Sequence, residues 1–299
     1  MARPDVGEVV VTILGTAQDG GFPQLGCQRE CCTNDIAQAQ PRYPVSIGIK
    51  GRDGSFHMIE ASRMMHAQFQ VWAEKLGTHP SIPDSISLSH AHLGHVDGLG
   101  LLGKEVMGVK GVVIHCSQSV AMYIQNTPAY AALIEQGSIS IRVWKSNASF
   151  TPTSDCGFSI QPIPVPHRSE FSDCHGLIIE ANGNRLLFLP DHDSWGQTLQ
   201  QQSIRDWLTQ LQIDVALLDG TFWSADELEH RDINEIPHPT VEESLRRLGD
   251  KKKGDPDIRF LHLNHTNPLC NPHSKQTQIL REMGWAVAKE GDSFTLESL

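Results

Sequence analysis

Short runs in which apolar residues alternate with polar or small ones recur along the chain, and this period of two predicts β-strands. Between them lie stretches with apolar residues every three to four positions, which predict helices. The predicted strands are 9–14, 46–50, 55–60, 85–88, 112–115, 138–143, 158–164, 176–180, 185–189, 215–218, 258–263 and 285–289. The predicted helices are 64–76, 118–125, 130–136, 204–211, 241–248 and 274–283. The two types interleave in comparable halves, which predicts one α/β (α+β) domain over residues 1–299, with two sheets packed face to face and helices outside.

Composition and charge narrow the classes of function. The chain has 299 residues, of which 39% are hydrophobic and 20% charged, as in ordinary globular proteins. Its formal net charge of −11 argues against a general nucleic-acid binder, which needs a basic surface. No apolar run is long enough for a membrane span or a signal peptide, so we expect a cytoplasmic protein with a small-molecule substrate and no membrane partner. A homodimer is left open by the sequence.

Three histidines lie within six residues, in the motif Ser-His-Ala-His-Leu-Gly-His at positions 89–95. The motif directly follows the predicted strand 85–88, whose end provides a rigid base for the side chains. Neutral imidazole is the commonest protein ligand for zinc and also binds iron. The motif therefore indicates a metal site more strongly than a polar loop with incidental histidines, although the chain contains fifteen.

Further metal-binding residue types stand at other predicted strands. His167 follows 163–166, Asp191 follows 187–190, and His262 lies inside 258–263. Each alone is weak evidence, because a single histidine in a strand is more often a hydrogen-bonded core residue. Their joint occurrence, in this order after a triple-histidine loop, predicts that distant parts of the chain converge on one metal centre.

This order of His-x-His-x-x-His, a later His, an Asp and a final His resembles the metallo-β-lactamase superfamily. The resemblance implies a four-layer αββα sandwich with a metal site at one edge. Motifs at 20–24 (Gly-Gly-Phe-Pro-Gln), 218–223 (Leu-Asp-Gly-Thr-Phe-Trp) and 264–268 (Asn-His-Thr-Asn-Pro) resemble the pyrroloquinoline quinone biosynthesis protein B family. A second similar group is the cyclic-phosphodiesterase branch associated with phosphonate metabolism. The resemblance covers nearly the whole chain.

The resemblance also implies a set of ligands for one or two divalent ions. His90, His92 and His167 correspond to ligands of the first ion, His95 and His262 to ligands of the second, and Asp191 to the carboxylate that bridges both. The chain departs from the superfamily at Gly94, where an Asp is usual. Glycine has no side chain to coordinate a metal, so one ligand of the second ion is missing.

Two outcomes follow from this departure. The centre holds a single ion on three histidines and Asp191, or the second ion survives on His95, His262 and Asp191. The latter set of two histidines and one carboxylate suits ferrous iron. Asp97, Asp193 and His192 are close enough in sequence to compensate, although Asp97 and Asp193 fit better as residues that support a ligand.

A second cluster predicts a structural zinc site. Cys27, Cys31 and Cys32 lie close together, and clustered thiols in a chain without an export signal indicate zinc more often than a disulfide. A closed tetrahedral site needs a fourth ligand. The resemblance to the phosphodiesterases implies His265, although their middle Cys lies where this chain has Arg29. Three buried thiols without a metal are the alternative reading.

The ligand set predicts hydrolysis. A bound zinc, iron or manganese ion lowers the pKa of water to about 7, and the resulting hydroxide would attack an ester, lactone or phosphodiester. Asp191 would orient the water, and His192, His175 and His265 are the candidate proton donors, of which His192 is assigned as a catalytic residue beside Asp191. Two other functions stay open: an iron-dependent oxidoreductase in the biosynthesis of a quinone cofactor, as the resemblance implies, and a non-catalytic metal-binding carrier.

Overall fold

The computed structural model describes residues 7–80, 82–168, 170–227 and 237–296. Its strands are β1 Val10–Gly15, β2 Ser46–Lys50, β3 Phe56–Ile59, β4 Ser85–Ser87, β5 Val112–Cys116, β6 Ile139–Val143, β7 Ser159–Val165, β8 Cys174–Ala181, β9 Asn184–Leu189, β10 Val215–Asp219, β11 Asp257–Leu261, β12 Ala286–Val287 and β13 Ser293–Thr295. Its helices are α1 Glu30–Thr33, α2 Asp35–Ala39, α3 Met65–Leu76, α4 Leu93–Val96, α5 Gln118–Asn126, α6 Pro128–Glu135, α7 Trp195–Leu199, α8 Ile204–Gln210, α9 Val241–Leu248 and α10 Lys275–Glu282. Short 3-10 helices lie at Asp97–Leu102, Ala225–Glu227 and Pro268–Cys270.

The strands form two mixed sheets. One has the order β13-β1-β2-β3-β4-β5-β6, and the other has the order β12-β11-β10-β9-β8-β7. In the second sheet β9, β10, β11 and β12 run parallel, so the ends of β9, β10 and β11 meet at one edge. In the first sheet β3, β4, β5 and β6 are parallel. This topology places loops that follow several strands at a common edge, where a site can be assembled from distant residues.

Three apolar clusters show the four layers. The cluster between the sheets includes Ile13 and Ile47 of the first sheet and Phe188 and Leu217 of the second. A second cluster joins the outer face of the first sheet to α3, α5 and α6. A third joins the outer face of the second sheet to α7 to α10. The architecture is therefore a helix–sheet–sheet–helix sandwich, which confirms the predicted fold.

Most predicted elements are present within one or two residues of their expected ends. The pattern did not predict α1, α2, α4, α7 or β13, which are only three to five residues long and too short to display a period. The prediction that His262 lies inside a strand is wrong. β11 ends at Leu261, and His262 follows it in the left-handed backbone region at φ 61°.

None of the helices in the described part of the chain is both long and apolar enough to cross a bilayer.

Candidate metal centre

Four strand ends deliver the predicted ligands to one place. His90 follows β4, His167 follows β7, Asp191 follows β9, and His262 directly follows β11. Their side chains are almost wholly buried, as is that of His95 in α4. Each stands just beyond the last residue of a strand that is fixed by its ladder of hydrogen bonds, which holds the side chain while leaving it outside the sheet.

The first group of ligand atoms consists of three imidazole nitrogens from His90, His92 and His167. Nε2 of His90 lies 2.9 Å from Nδ1 of His92, and Nε2 of His167 lies 3.2 Å from that same Nδ1. Nitrogens bound to one tetrahedral ion at about 2.1 Å would lie about 3.4 Å apart. The three nitrogens are therefore spaced as ligands of one ion.

The second group contains His95 and His262 together with two carboxylates. Oδ2 of Asp191 lies 3.1 Å from Nε2 of His95 and 3.3 Å from Nε2 of His262. Oδ1 of Asp19 lies 3.6 Å and 3.8 Å from the same two nitrogens. The sequence pattern did not indicate Asp19, because it does not show where the loop after β1 lies.

Asp191 connects the two groups. Its Oδ2 faces His95 and His262, while its Oδ1 lies 3.8 Å from Nε2 of His167. Oδ2 of Asp191 and Nε2 of His262 are buried atoms for which the described residues provide no hydrogen bond of good geometry. Buried polar atoms without partners are costly, so their convergence is the observation that best fits a bound cation.

In each ligand histidine, the ring nitrogen that faces away from the metal centre lies close to an oxygen atom of another side chain. Nδ1 of His167 lies 3.0 Å from Oδ1 of Asp193, and Nε2 of His92 lies 3.1 Å from Oε2 of Glu170. Such contacts fix the ring and direct the other nitrogen toward a metal. The remaining three contacts are His90 Nδ1 to Ser89 Oγ at 2.8 Å, His95 Nδ1 to Glu60 Oε1 at 3.4 Å, and His262 Nδ1 to Thr221 Oγ1 at 2.8 Å.

The electrostatics favour neutral imidazoles at His90 and His167. Burial lowers the pKa of His167 and, with the nearby imidazole of His95, holds the pKa of His90 well below its usual value. Burial opposes ionisation of Asp191, but the imidazoles of His262, His95 and His167 outweigh it and hold the pKa of the carboxyl far below its usual range. Unprotonated imidazoles and an ionised carboxylate are the forms that bind metals.

A second buried network lies beside these ligands and centres on Asp219. Its Oδ1 accepts hydrogen bonds from the backbone N–H and the hydroxyl of Thr221, at 2.9 and 2.7 Å. Its Oδ2 accepts one from Nδ1 of His238 at 2.7 Å and one from the backbone N–H of His192 at 3.2 Å. Burial lowers the pKa of His238, but Asp219 outweighs it and raises that pKa overall.

His238 itself is close to the centre. Its Nδ1 lies 3.8 Å from Oδ1 of Asp191, and its ring lies 5.6 Å from that of His167 and 5.8 Å from that of His262. The sequence pattern did not indicate His238 as a site residue. It lies two residues before Thr240, whose side chain caps α9.

The structure brings together all six predicted active-site ligands, and Asp193 contacts one of them, His167, as a residue that supports a ligand. The other predicted residues make different contacts. His192 is fully buried against Trp195, and burial lowers its pKa to about 4. His175 hydrogen-bonds to Ser146 Oγ at 2.8 Å. Asp97 pairs with Arg63 instead of a ligand. The assignment of His192 as proton donor stays a prediction, and its buried, weakly basic ring does not favour it.

The four residues of the predicted structural site also converge. Sγ of Cys31 lies 3.9 Å from Sγ of both Cys27 and Cys32. Nδ1 of His265 lies 3.6 Å from Sγ of Cys31 and 3.3 Å from Sγ of Cys32. Two sulfurs on one tetrahedral zinc at about 2.3 Å would lie about 3.8 Å apart, so the cluster has the dimensions of such a site.

A turn of the backbone directs His265 to this cluster and His262 to the other one. A strand that continued past Leu261 would place these two side chains on opposite faces. The strand has already ended, and the left-handed backbone at His262 followed by a turn separates the two side chains. Burial and the adjacent thiols raise the pKa of Cys31 to about 12, so a bound cation would favour its thiolate form.

Comparison with known proteins adds an independent view. Residues 58–255 match the family described as "Beta-lactamase superfamily domain". Coenzyme PQQ synthesis protein B of Methylococcus capsulatus is 25% identical over 321 residues, covering 95% of this chain and 98% of the relative. The same protein of Xanthomonas axonopodis pv. citri is 23% identical over 315 residues, covering 94% and 98%.

Solved structures share the architecture. Zn(2+)-bound PqqB from Methylobacterium extorquens has a TM-score of 0.76 at 23% identity and covers 95% of this chain and 99% of its own. A diphosphatase of the PhnP family has a TM-score of 0.64 at 19% identity, with 96% and 97% covered. At these identities the likeness concerns the fold.

Proposed function

Since this chain belongs to the beta-lactamase superfamily, we propose that it is a metal-dependent hydrolase acting on a phosphodiester, ester or lactone. The observation that carries the proposal is the pair of ligand groups that share Asp191, three nitrogens on one side and two on the other. Two adjacent divalent ions suit a phosphodiester best, because together they can hold the attacking and leaving oxygens.

The residues have separate tasks in this proposal. His90, His92 and His167 would hold one ion, and His95, His262 and Asp191 would hold the other, with Asp191 common to both. Such ions supply Lewis acidity, which lowers the pKa of water and polarises the scissile bond. Burial of nearly all these side chains excludes bulk solvent and strengthens their electrostatic effect.

His238 is our proposed proton donor to the leaving group. Its Nδ1 is committed to Asp219, which leaves Nε2 as the atom that can carry the proton. The buried carboxylate fixes the ring and supports its charged form, as in other Asp–His pairs that perform acid–base catalysis. His192 lacks such a carboxylate contact through a ring nitrogen at hydrogen-bond distance, since Nδ1 lies 3.9 Å from Asp219.

The test combines metal content with turnover. The purified chain, stripped and reloaded with zinc, manganese or iron, would be assayed on bis(p-nitrophenyl) phosphate, p-nitrophenyl acetate and a simple lactone. His92→Ala and Asp191→Asn should lose metal and reduce kcat/KM by at least about 100-fold, because they remove a ligand and the shared carboxylate. His66→Ala, an exposed histidine on α3, is the matched control. Turnover that survives the loss of metal in His92→Ala would refute the proposal.

The similarity to coenzyme PQQ synthesis protein B over 95% of the chain supports a second candidate. An iron-dependent oxidoreductase in the synthesis of a quinone cofactor would purify with iron and consume oxygen, whereas the hydrolase would be active with zinc or manganese under nitrogen. A carrier would bind metal and show neither reaction. All seven cysteines are free thiols, which is consistent with our expectation of a cytoplasmic location.

A further inference from the structure

The missing ligand at position 94 has a counterpart elsewhere in the chain. Gly94 is buried in α4, one residue before His95, and offers no carboxylate to the second group of ligand atoms. That group is otherwise short of ligands, since His95, His262 and a shared Asp191 leave a divalent ion with few protein contacts.

The space beside Gly94 is filled by another carboxyl group. A Cβ atom built on Gly94 would lie 2.1 Å from Oδ1 of Asp19, 2.3 Å from its Cγ and 2.7 Å from its Cβ. These distances are far below any van der Waals contact. The carboxyl group of Asp19 therefore occupies the volume that a side chain at position 94 would enter, and the two positions cannot both carry an Asp in this conformation.

Asp19 also has the contacts that such a ligand requires. Its Oδ1 lies 3.6 Å from Nε2 of His95 and 3.8 Å from Nε2 of His262, the same nitrogens that face Oδ2 of Asp191. Nε2 of His262 is buried and has no hydrogen-bond partner among the described residues. The second group thus has two imidazoles whose Nε2 atoms each face both carboxylates.

The backbone holds Asp19 in place. The N–H of Gln18 donates to the carbonyl of Leu263 at 2.9 Å, and Ala17 forms a bridge to the same residue. The N–H of Gly21 closes a turn onto the carbonyl of Gln18 at 2.8 Å. The backbone on both sides of Asp19 is thereby held, and Gln18 ties it to the segment that carries His262.

We propose that Asp19 is a ligand of the second metal ion and replaces the aspartate that the superfamily usually has at position 94. In this chain the carboxylate comes from the loop after β1 instead of from α4, and it occupies the same place in the centre. The inference rests on the proposed two-ion site and makes it complete in spite of Gly94. The oxidoreductase alternative drew support from a second site of only two histidines and one carboxylate, a set that suits ferrous iron. This support is lost if Asp19 coordinates.

The experiment removes the carboxylate at position 19 and introduces one at position 94. Wild type, Asp19→Asn, Gly94→Asp and the double variant Asp19→Gly/Gly94→Asp would be stripped of metal and titrated with Zn²⁺ and Co²⁺, followed by elemental analysis and the visible Co²⁺ spectrum. Circular dichroism would check folding, and Asp155→Ala, an exposed carboxylate, is the control.

Asp19→Asn should bind about one ion fewer per chain, or bind it more than about 100-fold more weakly, since loss of a direct ligand exceeds the 10–100-fold cost typical of supporting residues. The double variant should recover the ion and its Co²⁺ band. Gly94→Asp alone should gain no affinity, because Asp19 already fills the space.

The outcomes separate this inference from the proposed function. Full stoichiometry and an unchanged Co²⁺ spectrum in Asp19→Asn would overturn the role of Asp19 and leave the hydrolase proposal intact. If a variant substituted at His92 kept the metal content of the wild type, this result would instead overturn the proposed centre itself. A folded double variant that fails to recover the ion would also count against the replacement of position 94 by Asp19.

Discussion

The hydroxyl of Thr221 determines which nitrogen of His262 faces the metal centre. Its proton is donated to Oδ1 of Asp219 at 2.7 Å, so its lone pair accepts the Nδ1 proton of His262 at 2.8 Å. In the neutral tautomer that this bond selects, Nε2 of His262 carries no proton, and this is the nitrogen that lies 3.3 Å from Oδ2 of Asp191. The tautomer follows from the hydrogen-bond network, and it is the one that binds a metal.

Substitution of Thr221 tests this relay. Thr221→Val keeps the shape of the side chain but removes the hydroxyl, so His262 loses its acceptor and Asp219 loses one of four donors. We expect metal affinity at the second group to fall by about 10–100-fold, the usual cost of removing a residue that supports a ligand. Titration of the metal-free chain with Zn²⁺ measures this. Thr221→Ser retains the hydroxyl and should bind within a few-fold of wild type; equal affinity of both variants would exclude the relay.

The sequence could predict the ligands that stand at strand ends, because His and Asp residues after apolar runs are visible in the pattern. It could not place Asp19, Glu170 or His238. These residues lie on loops or turns whose position depends on tertiary contacts, such as the bond between Gln18 and Leu263. From the sequence alone, an acidic residue in a Gly-containing loop cannot be distinguished from a solvent-exposed turn residue.

At the scale of elements, the outer layer of the first sheet depends on close contact between β2 and α3. Gly48 of β2 lies under Trp72 of α3, and both are fully buried. A Cβ atom on Gly48 would lie 2.6 Å from Cε2 and 2.7 Å from Cζ2 of the indole. The absence of a side chain at Gly48 therefore sets how closely α3 approaches the sheet.

Gly48→Ala should lower the free energy of unfolding by about 1–3 kcal/mol, the typical cost of inserting a methyl group into a packed core. Gly100→Ala is the matched control, because a Cβ there meets nothing within 4 Å and the backbone has no positive φ. Urea unfolding followed by Trp fluorescence measures both. A Gly48→Ala chain as stable as the control would show that α3 can shift without cost.

The pattern predicted the longer elements because they extend over two or more periods. It missed the short helices because α1, α4 and α7 have only four or five residues, too few to show a period. α4 carries His95 and begins directly after His92, so the triple-histidine segment is a loop followed by a turn of helix. Burial of Gly94, His95 and Val96 gives this turn the order that its local sequence does not specify.

At the scale of the molecule, the two metal clusters share the segments that carry them. The segment 17–32 holds Asp19 and three cysteines, and the segment 262–265 holds one histidine of each cluster. An ion in either cluster ties these segments together. Ions that bind the folded chain more tightly than the unfolded one stabilise it, so both clusters should contribute to thermal stability.

Removal of metal by a chelator should lower Tm by several degrees, at about 2 °C or more for each kcal/mol of binding energy lost. Cys32→Ser should reduce this chelator-induced shift because one cluster no longer binds. Cys116→Ser, a buried thiol outside the clusters, is the control: its Tm falls, but its chelator-induced shift should match that of wild type. An equal shift in the Cys32 variant would contradict a metal role for the cysteines.

The backbone at His262 has a consequence for any descendant of this chain. A left-handed conformation costs a residue with a side chain about 1–2 kcal/mol, a penalty that glycine escapes. A scaffold retained only for its shape would gain stability by exchanging this imidazole for glycine. Gly or Asn at position 262 would thus mark related chains that have lost the metal-dependent activity. A histidine kept there at the expense of stability identifies those that retain it.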